Sequence, residues 1–139
     1  MPEASEAEIG RVVEAVVQLC REAGYINDAA YAESKVASGA RRGLSRRRIG
    51  QALAAKGVEE DLVRAAVEEV DDAQAALIFA KRRRLGPWRT RAVDNALMKD
   101  VAAMARGGFS SELAFRTCKL SLAEAEALLY GDEIQDDDG

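Results

Sequence analysis

Apolar residues recur along most of the chain at intervals of three and four positions, which is the period of one face of an α-helix. The first such segment contains Ile9, Val12, Val13, Val16, Val17 and Cys20. Gly24 is predicted to end this helix, because glycine readily adopts the left-handed conformation that closes many helices. No segment alternates convincingly between apolar and polar residues with the period of two that marks a β-strand. The chain is therefore predicted to be all-α.

Capping residues and glycines divide the remaining pattern into seven shorter predicted helices. The second helix starts at Asn27 or Asp28, either of which can cap a helix N-terminus. Ser45 is the predicted cap of the third helix, and Ser121 with Glu124 forms a capping box for the last one. In chain order, these helices are predicted near residues 28–39, 45–57, 62–70, 73–85, 97–106, 113–118 and 121–129.

A weak internal repeat relates residues 53–62 to residues 104–113. In both segments a helix ends at a glycine, one apolar residue follows, and an acid lies near the start of the next helix. The repeat predicts tandem three-helix modules that stack side by side. The predicted division is an N-terminal helix at 1–24 that is the remnant of a first module, modules at 25–70 and 71–120, a short helix at 121–131, and an acidic, disordered tail at 132–139.

The composition excludes several classes of function. The chain has no histidine, which removes the commonest general base and every Cys/His or Ser/His pair. Cys20 and Cys118 are predicted to be buried free thiols, and two isolated cysteines cannot build an ordinary zinc site. No apolar run approaches the roughly 20 residues that cross a bilayer, and no basic-then-apolar leader opens the chain. We therefore expect a cytoplasmic protein without catalytic residues, metal or cofactor.

The formal net charge of -4 hides a segregation of charge along the chain. Residues 35–58 and 73–93 contain basic residues and no acid, whereas the tail is acidic. Because both basic clusters occupy the same place in the two predicted modules, stacking would align them in one positive strip. The candidate residues for binding a protein partner or a nucleic acid are Arg41, Arg42, Arg46, Arg47, Arg48, Lys56, Lys81, Arg82, Arg83, Arg84, Arg89 and Arg91.

Each candidate also has a structural interpretation. The arginines can instead solvate helix surfaces and pair with the acids Glu59, Glu60, Glu68, Glu69, Asp71 and Asp72. Trp88 can stack on a base or anchor a partner, although covering the edge of a core is favoured. Tyr25, Tyr31 and Phe109 are assigned to packing between modules. The tail is a solubilising end, or a mimic of phosphates that competes for the basic strip.

Three segments carry a resemblance to a known family. Residues 24–33 read GYINDAAYAE, residues 49–58 read IGQALAAKGV, and residues 106–110 read RGGFS. The first segment matches the pattern Gly-Tyr-(Ile/Leu)-x-Asp-x-x-(Phe/Tyr). The second segment matches the pattern Arg-x-(Ile/Leu)-x-x-x-Leu-x-x-Lys-Gly-(Ile/Val) from its third position onward. Together they resemble the RecX family of bacterial regulators that restrain the RecA recombinase. The resemblance covers about three-quarters of the chain, from Val16 to Leu120.

The resemblance implies tandem three-helix modules in an elongated, curved array. It also implies a regulator that binds RecA, or the RecA filament on single-stranded DNA, and hinders filament extension, ATP hydrolysis and strand exchange. No small-molecule substrate and no membrane are expected. Two departures stand out: this chain begins near the end of the usual first module, and Leu44-Ser45 replaces a Gly-Pro that commonly opens a helix.

Two other functions stay open on the sequence alone. A small helical DNA-binding module would act through the basic clusters without RecA, with the helix at 45–56 as the reading helix, and its affinity would fall steeply with salt. A structural adaptor would bind through alanine-rich faces, and reversing the charge of Arg46, Arg47 and Arg48 would leave its binding unchanged.

Overall fold

The computed structural model describes the backbone of residues 5–137 and the side chains of residues 5–131. This part of the chain contains seven α-helices and no strand, which confirms the predicted all-α fold. The helices are α1 (Glu6–Arg42), α2 (Arg46–Ala55), α3 (Glu60–Val67), α4 (Asp72–Arg83), α5 (Ala96–Arg106), α6 (Ser111–Lys119) and α7 (Leu122–Asp137). A short 3₁₀ turn at Gly86–Trp88 lies between α4 and α5.

The predicted break at Gly24 is wrong, because α1 runs without interruption through it. Glycine inside a helix is less favourable than alanine by only about 1 kcal/mol, and neither Asn27 nor Asp28 acts as a cap. The helix ends instead at Gly43, whose φ of 75° is left-handed and whose N–H bonds back to the carbonyls of Gly39 and Ala40. The first two predicted helices are therefore one.

Several predicted caps are present. The hydroxyl of Ser45 accepts the N–H of Arg48 at 3.1 Å, which satisfies one of the free donors at the start of α2. Ser121 and Glu124 form a reciprocal capping box at the start of α7, with bonds of 3.0 and 3.1 Å. Local sequence signals therefore locate these two helix starts.

The second half of α1 packs with α2 and α3 into a first three-helix unit. Its buried core consists of Ala32, Ile49, Leu53, Val58, Leu62 and Val70. Helices α4, α5 and α6 form a second three-helix unit. Its buried core consists of Ala75, Ala76, Ala80, Val101, Met104, Phe109 and Ala114. Trp88 packs against the second core, as the favoured interpretation of this residue predicted.

The two units meet at the start of α2. The Ser45 hydroxyl, fully buried, donates to the carbonyl of Gly107 at 3.0 Å. Gly108 has a φ of 96°, and a Cβ atom there would lie 2.4 Å from the Ser45 Oγ. A glycine at 108 is thus required both by the backbone conformation and by the close approach of the two units.

Helix α7 packs on α4 and continues six residues past its predicted end at residue 131, to Asp137. Ala125 is buried, and Gln74 donates to the carbonyl of Leu129 at 3.3 Å. The expectation of disorder at 132–139 is wrong for the backbone of 132–137, while 138–139 lie outside the described residues.

The first half of α1 is exposed from residue 5 to residue 27. Its periodic apolar residues, such as Ile9 and Val16, therefore remain accessible, and the predicted burial of Cys20 is wrong. Tyr25 is 56% exposed, so its predicted packing role is also wrong, because a helical period alone supplies no partner. None of the described helices combines the length and the apolar character that a bilayer crossing needs.

Candidate partner-binding groove

A groove lies where the C-terminal ends of α1 and α4 come together. Its lining residues are Arg42, Leu44, Phe79, Arg82 and Arg83, and its volume is about 360 Å³. Three arginines and two apolar residues therefore line the same groove. This basic groove combines, in one place, residues from both predicted basic clusters.

The backbone at Gly43 brings the two helix ends together. A Cβ atom at this position would lie 2.8 Å from the backbone nitrogen of Phe79, so a larger residue would push α1 away from α4. The left-handed turn at Gly43 then sends the chain directly into Leu44 and Ser45, before α2 begins. The close packing at Gly43 thus fixes how near Arg42 lies to the last turn of α4.

Two arginines of the basic groove contact a backbone carbonyl and an aromatic ring, and the described side chains pair neither of them with an acid. Arg82 donates to the carbonyl of Arg42 at 3.4 Å, and the guanidinium of Arg83 lies 5.0 Å from the Phe79 ring centroid. Carbonyls at a helix C-terminus carry partial negative charge, which favours cations there. Among the side chains that the structure describes, no acid lines the groove, and Arg42, Arg82 and Arg83 form no salt bridge. The groove therefore has a positive field.

A second basic feature borders the junction between the units. Arg48 donates to the carbonyl of Arg106 at 2.9 Å, and this hydrogen bond connects the first unit to the second. A Cβ atom at Gly108 would lie 3.5 Å from the Cβ of Arg47, so Arg47 is also close to this junction. The first turn of α2 thus adds basic residues at the junction between the two units. Sequence reasoning did not select Arg106, which follows the second acid-free run.

Several predicted binding residues have other partners. Arg46 donates to the carbonyl of Val70 at 2.6 Å and to that of Glu68 at 2.7 Å, so its guanidinium ties α2 to the end of α3. Lys81 bonds to the hydroxyl of Tyr130, and its Nζ lies 4.7 Å from that ring centroid. Both side chains hold the fold together in addition to carrying charge.

Arg89 is bound to a buried acid. Its guanidinium pairs with Asp100, which is 2% exposed and also accepts the N–H of Gly86 at 2.9 Å. Burial alone would raise the pKa of Asp100. The hydrogen bonds from Arg89 and from the Gly86 N–H, with the charge of Arg89, outweigh burial and lower this pKa. The same pair raises the pKa of Arg89, so the pair stays ionised.

The remaining candidates lie apart from the basic groove or beside it. Lys56 follows the last residue of α2, about 15 Å along that helix from its first turn. Arg41 and Arg84 are exposed next to groove residues, and Arg91 is exposed in the segment before α5. The twelve candidates therefore do not form one uniform strip. The described acids Glu59 and Glu69, suggested as alternative partners of the arginines, form no salt bridge with them.

Sequence reasoning missed the apolar part of the basic groove. Phe79 and Leu44 were not selected, although Phe79 precedes Arg82 and Arg83 by one helical turn and so shares their side of α4. This spacing along α4 was the signal in the sequence that could have identified Phe79 as part of the site. No cluster of three or more potential metal ligands occurs among the residues that the structure describes.

Comparisons with known proteins agree on one family. The family model described as RecX, second three-helix domain, matches residues 27–67. Curated proteins named regulatory protein RecX match over most of the chain. The relative from Agrobacterium fabrum is 41% identical over 105 residues, which is 75% of this chain and 57% of the relative. The relative from Thermobifida fusca is 38% identical over 120 residues, which is 84% of this chain and 64% of the relative.

A third relative, from Amycolatopsis mediterranei, is 34% identical over 119 residues, which is 82% of this chain and 68% of the relative. The chain thus spans less than two thirds of the length of the first two relatives. No solved structure gives a significant match. The matched segment at 27–67 contains the first three-helix unit almost entirely, and the relatives extend the similarity through much of the second. On these grounds the chain belongs to the RecX family of regulatory proteins.

Proposed function

We propose that this protein binds RecA or its filament on single-stranded DNA and inhibits filament extension, ATP hydrolysis and strand exchange. The observation that carries this proposal is the basic groove. Arg42, Arg82 and Arg83 are exposed there, and the described side chains provide no carboxylate that neutralises them. The curated relatives are named as regulatory proteins, which supports a protein partner.

The chemistry of the basic groove fits such a partner. A guanidinium is planar and can pair bidentately with a carboxylate or a phosphate. Both groups are available on a protein filament that holds a nucleic acid. Rigid helical units joined through Ser45 and Gly108 hold the arginines at fixed positions. Several modest contacts along a repeating filament can then add up to strong binding.

We also propose that the protein acts by binding alone and has no enzymatic activity. The chain contains no histidine, and one of its two cysteines, Cys118, has a pKa raised to about 11 by burial and by the charge of Asp100, although Arg89 opposes this. A thiol with such a pKa is almost entirely protonated near neutral pH, so it is a poor nucleophile.

The test is RecA-dependent ATP hydrolysis on single-stranded DNA, measured while this protein is titrated. The wild type is expected to inhibit, and a variant with Arg42→Gln, Arg82→Gln and Arg83→Gln should need about tenfold more protein for the same inhibition. A matched control replaces three exposed arginines elsewhere by glutamine: Arg11, Arg64 and Arg116. The control should inhibit like the wild type within about twofold.

Failure of the wild type to inhibit in excess over RecA would contradict the proposed function. Equal loss of inhibition in the groove variant and the control would contradict the role of the groove. The DNA-binding alternative predicts tight binding to DNA without RecA, with affinity falling by about 0.9 log units per log unit of salt for each phosphate contacted.

A further inference from the structure

The basic groove has a specific ligand chemistry. Its lining combines the basic residues Arg42, Arg82 and Arg83 with the apolar residues Leu44 and Phe79. A phosphate group alone would use the arginines and leave the apolar lining without a contact. A peptide with carboxylates on both sides of an aliphatic residue would use both. The preferred ligand class is therefore an acidic peptide that contains one apolar side chain.

The chain itself contains a segment of this class. Residues 132–139 read DEIQDDDG, so Ile134 has two acids before it and three acids after it. Residues elsewhere in the chain are almost balanced in charge, because removal of these five acids leaves 20 basic and 19 acidic residues. The acidic segment therefore concentrates negative charge in the way that the basic groove concentrates positive charge.

The acidic segment starts close to the basic groove. Tyr130 bonds to Lys81 through its hydroxyl, and the Lys81 Nζ lies 4.7 Å from the ring centroid. Lys81 directly precedes Arg82, which lines the groove. Nine residues, from 131 to 139, follow this attachment point, and an extended chain of that length spans up to about 30 Å. This length is ample to reach across α4.

The last turns of α7 are intrinsically weak. Gly131 disfavours helix by about 1 kcal/mol relative to alanine. Acids near a helix C-terminus oppose its dipole, and the like charges at 132/136 and 133/137 each destabilise the helix by a few tenths of a kcal/mol. Release of this segment from α7 therefore requires little free energy, which favours a second position for it.

We propose that residues 132–139 dock in the basic groove of the same chain and compete there with the external partner. This inference rests on the proposed function and names the regulation of its site. The covalent connection through residue 131 holds the acidic segment at an effective concentration near the millimolar range. A contact with a dissociation constant of at most about half that concentration therefore occupies the groove for at least about two thirds of the time.

The test uses a fluorescein-labelled peptide with the sequence of residues 131–139 as the probe, and fluorescence anisotropy as the readout. The acceptor is the full chain with Asp132→Asn, Glu133→Gln, Asp136→Asn, Asp137→Asn and Asp138→Asn. This amide variant should bind the peptide at least about threefold more tightly than the wild type, because its own segment no longer competes. The binding should weaken as salt screens the charges.

Two controls separate docking from a general charge effect. A charge-matched full chain carries glutamine in place of five acids on α1: Glu6, Glu8, Glu14, Glu22 and Glu33. It should bind the peptide like the wild type within about twofold. In a chain that also carries the glutamine substitutions at Arg42, Arg82 and Arg83, the amide substitutions should make no difference to peptide binding, as a double-mutant cycle requires.

An equal gain of peptide affinity in the α1 control would overturn the inference. The inference would also fail if the amide substitutions still changed peptide affinity in the groove variant, or if the amide variant did not bind the peptide at millimolar concentration. A wild-type affinity that changes with protein concentration would indicate docking between two copies and would overturn it as well. Inhibition of RecA by the wild type tests the proposed function separately, so it can stand when the docking of the tail fails.

Discussion

Replacement of Asp100 by asparagine tests the main buried ion pair of the second three-helix unit. The carboxylate accepts the N–H of Gly86 and the Nε of Arg89, each at 2.9 Å, and also pairs with the Arg89 Nη2. Asparagine keeps the shape of the side chain but turns one acceptor into a donor that faces other donors. It also leaves Arg89 without its counter-charge.

The expected loss of stability follows from burial. Breaking a fully buried ion pair by removing one partner destabilises a protein by about 3–5 kcal/mol. Asp100 is 2% exposed, but the Arg89 side chain is 22% exposed and can regain some hydration. We therefore expect Asp100→Asn to lower the free energy of unfolding by about 2–4 kcal/mol. For a chain of this size, that lowers Tm by roughly 10 °C.

Thermal and urea unfolding, followed by circular dichroism at 222 nm, measure this change. Glu112→Gln is the control, because Glu112 pairs with Arg116 at 3.8 Å on an exposed face; it should change the unfolding free energy by less than about 0.5 kcal/mol. A loss below about 1 kcal/mol for Asp100→Asn would refute the reasoning from burial.

The same variant gives a pH dependence with a definite sign. The pKa of Asp100 is lowered in the fold, so its stabilising effect is complete above the unfolded pKa of about 3.9 and is lost as the pH falls through the lower folded value. The stability difference between wild type and Asp100→Asn should therefore stay constant from about pH 6 to 8 and shrink below about pH 4. A difference that grows on acidification would contradict this assignment.

Further predictions concern the junction, the thiols and the exposed half of α1. Ser45→Ala should lower the unfolding free energy by about 1–3 kcal/mol, because it removes both the cap of α2 and the bond to Gly107. Gly108→Ala should destabilise more than Gly57→Ala, since both have positive φ but only Gly108 meets Ser45; urea unfolding of the pair decides this, and equal losses would contradict it. At pH 8, Ellman's reagent should react with exposed Cys20 first and roughly 100-fold more slowly with Cys118, whose pKa is about 11; Cys20→Ser should remove the fast phase. In urea unfolding, Val13→Glu should leave the unfolding free energy within about 0.5 kcal/mol of wild type, whereas Ile49→Ala should lower it by about 2–4 kcal/mol; a large loss for Val13→Glu would show that this face is covered.

Helix boundaries were predictable where a local signal decides them. Ser45, Gly57 and Gly108 act through the backbone of their own neighbourhood, so a short stretch of sequence contains the necessary information. The break at Gly24 failed because the small helix penalty of glycine was the only local signal, and the surrounding residues outweigh it.

The site was predictable only in part. Charge clustering pointed to Arg42, Arg82 and Arg83, which share the basic groove, but also to Arg46 and Arg89. Those two arginines bind the carbonyls at the end of α3 and a buried acid on α5, respectively. Such partners are set by tertiary packing, so a count of charges along the sequence cannot separate them from solvent-facing arginines.

The continuity of α1 through Gly24 sets the direction in which its first half faces. Residues 6–27 are joined to the first three-helix unit without a loop. The packing of that unit therefore fixes the direction in which each of these side chains points around the helix axis. Insertion of a single residue near Gly24 would turn Ile9 and Val16 by about 100° and move them by about 1.5 Å. Four inserted residues would almost restore the direction in which these two side chains point and would move them about 6 Å farther along the helix axis. In related sequences, each inserted or deleted residue at this point would therefore rotate that apolar surface by a fixed angle relative to the first three-helix unit.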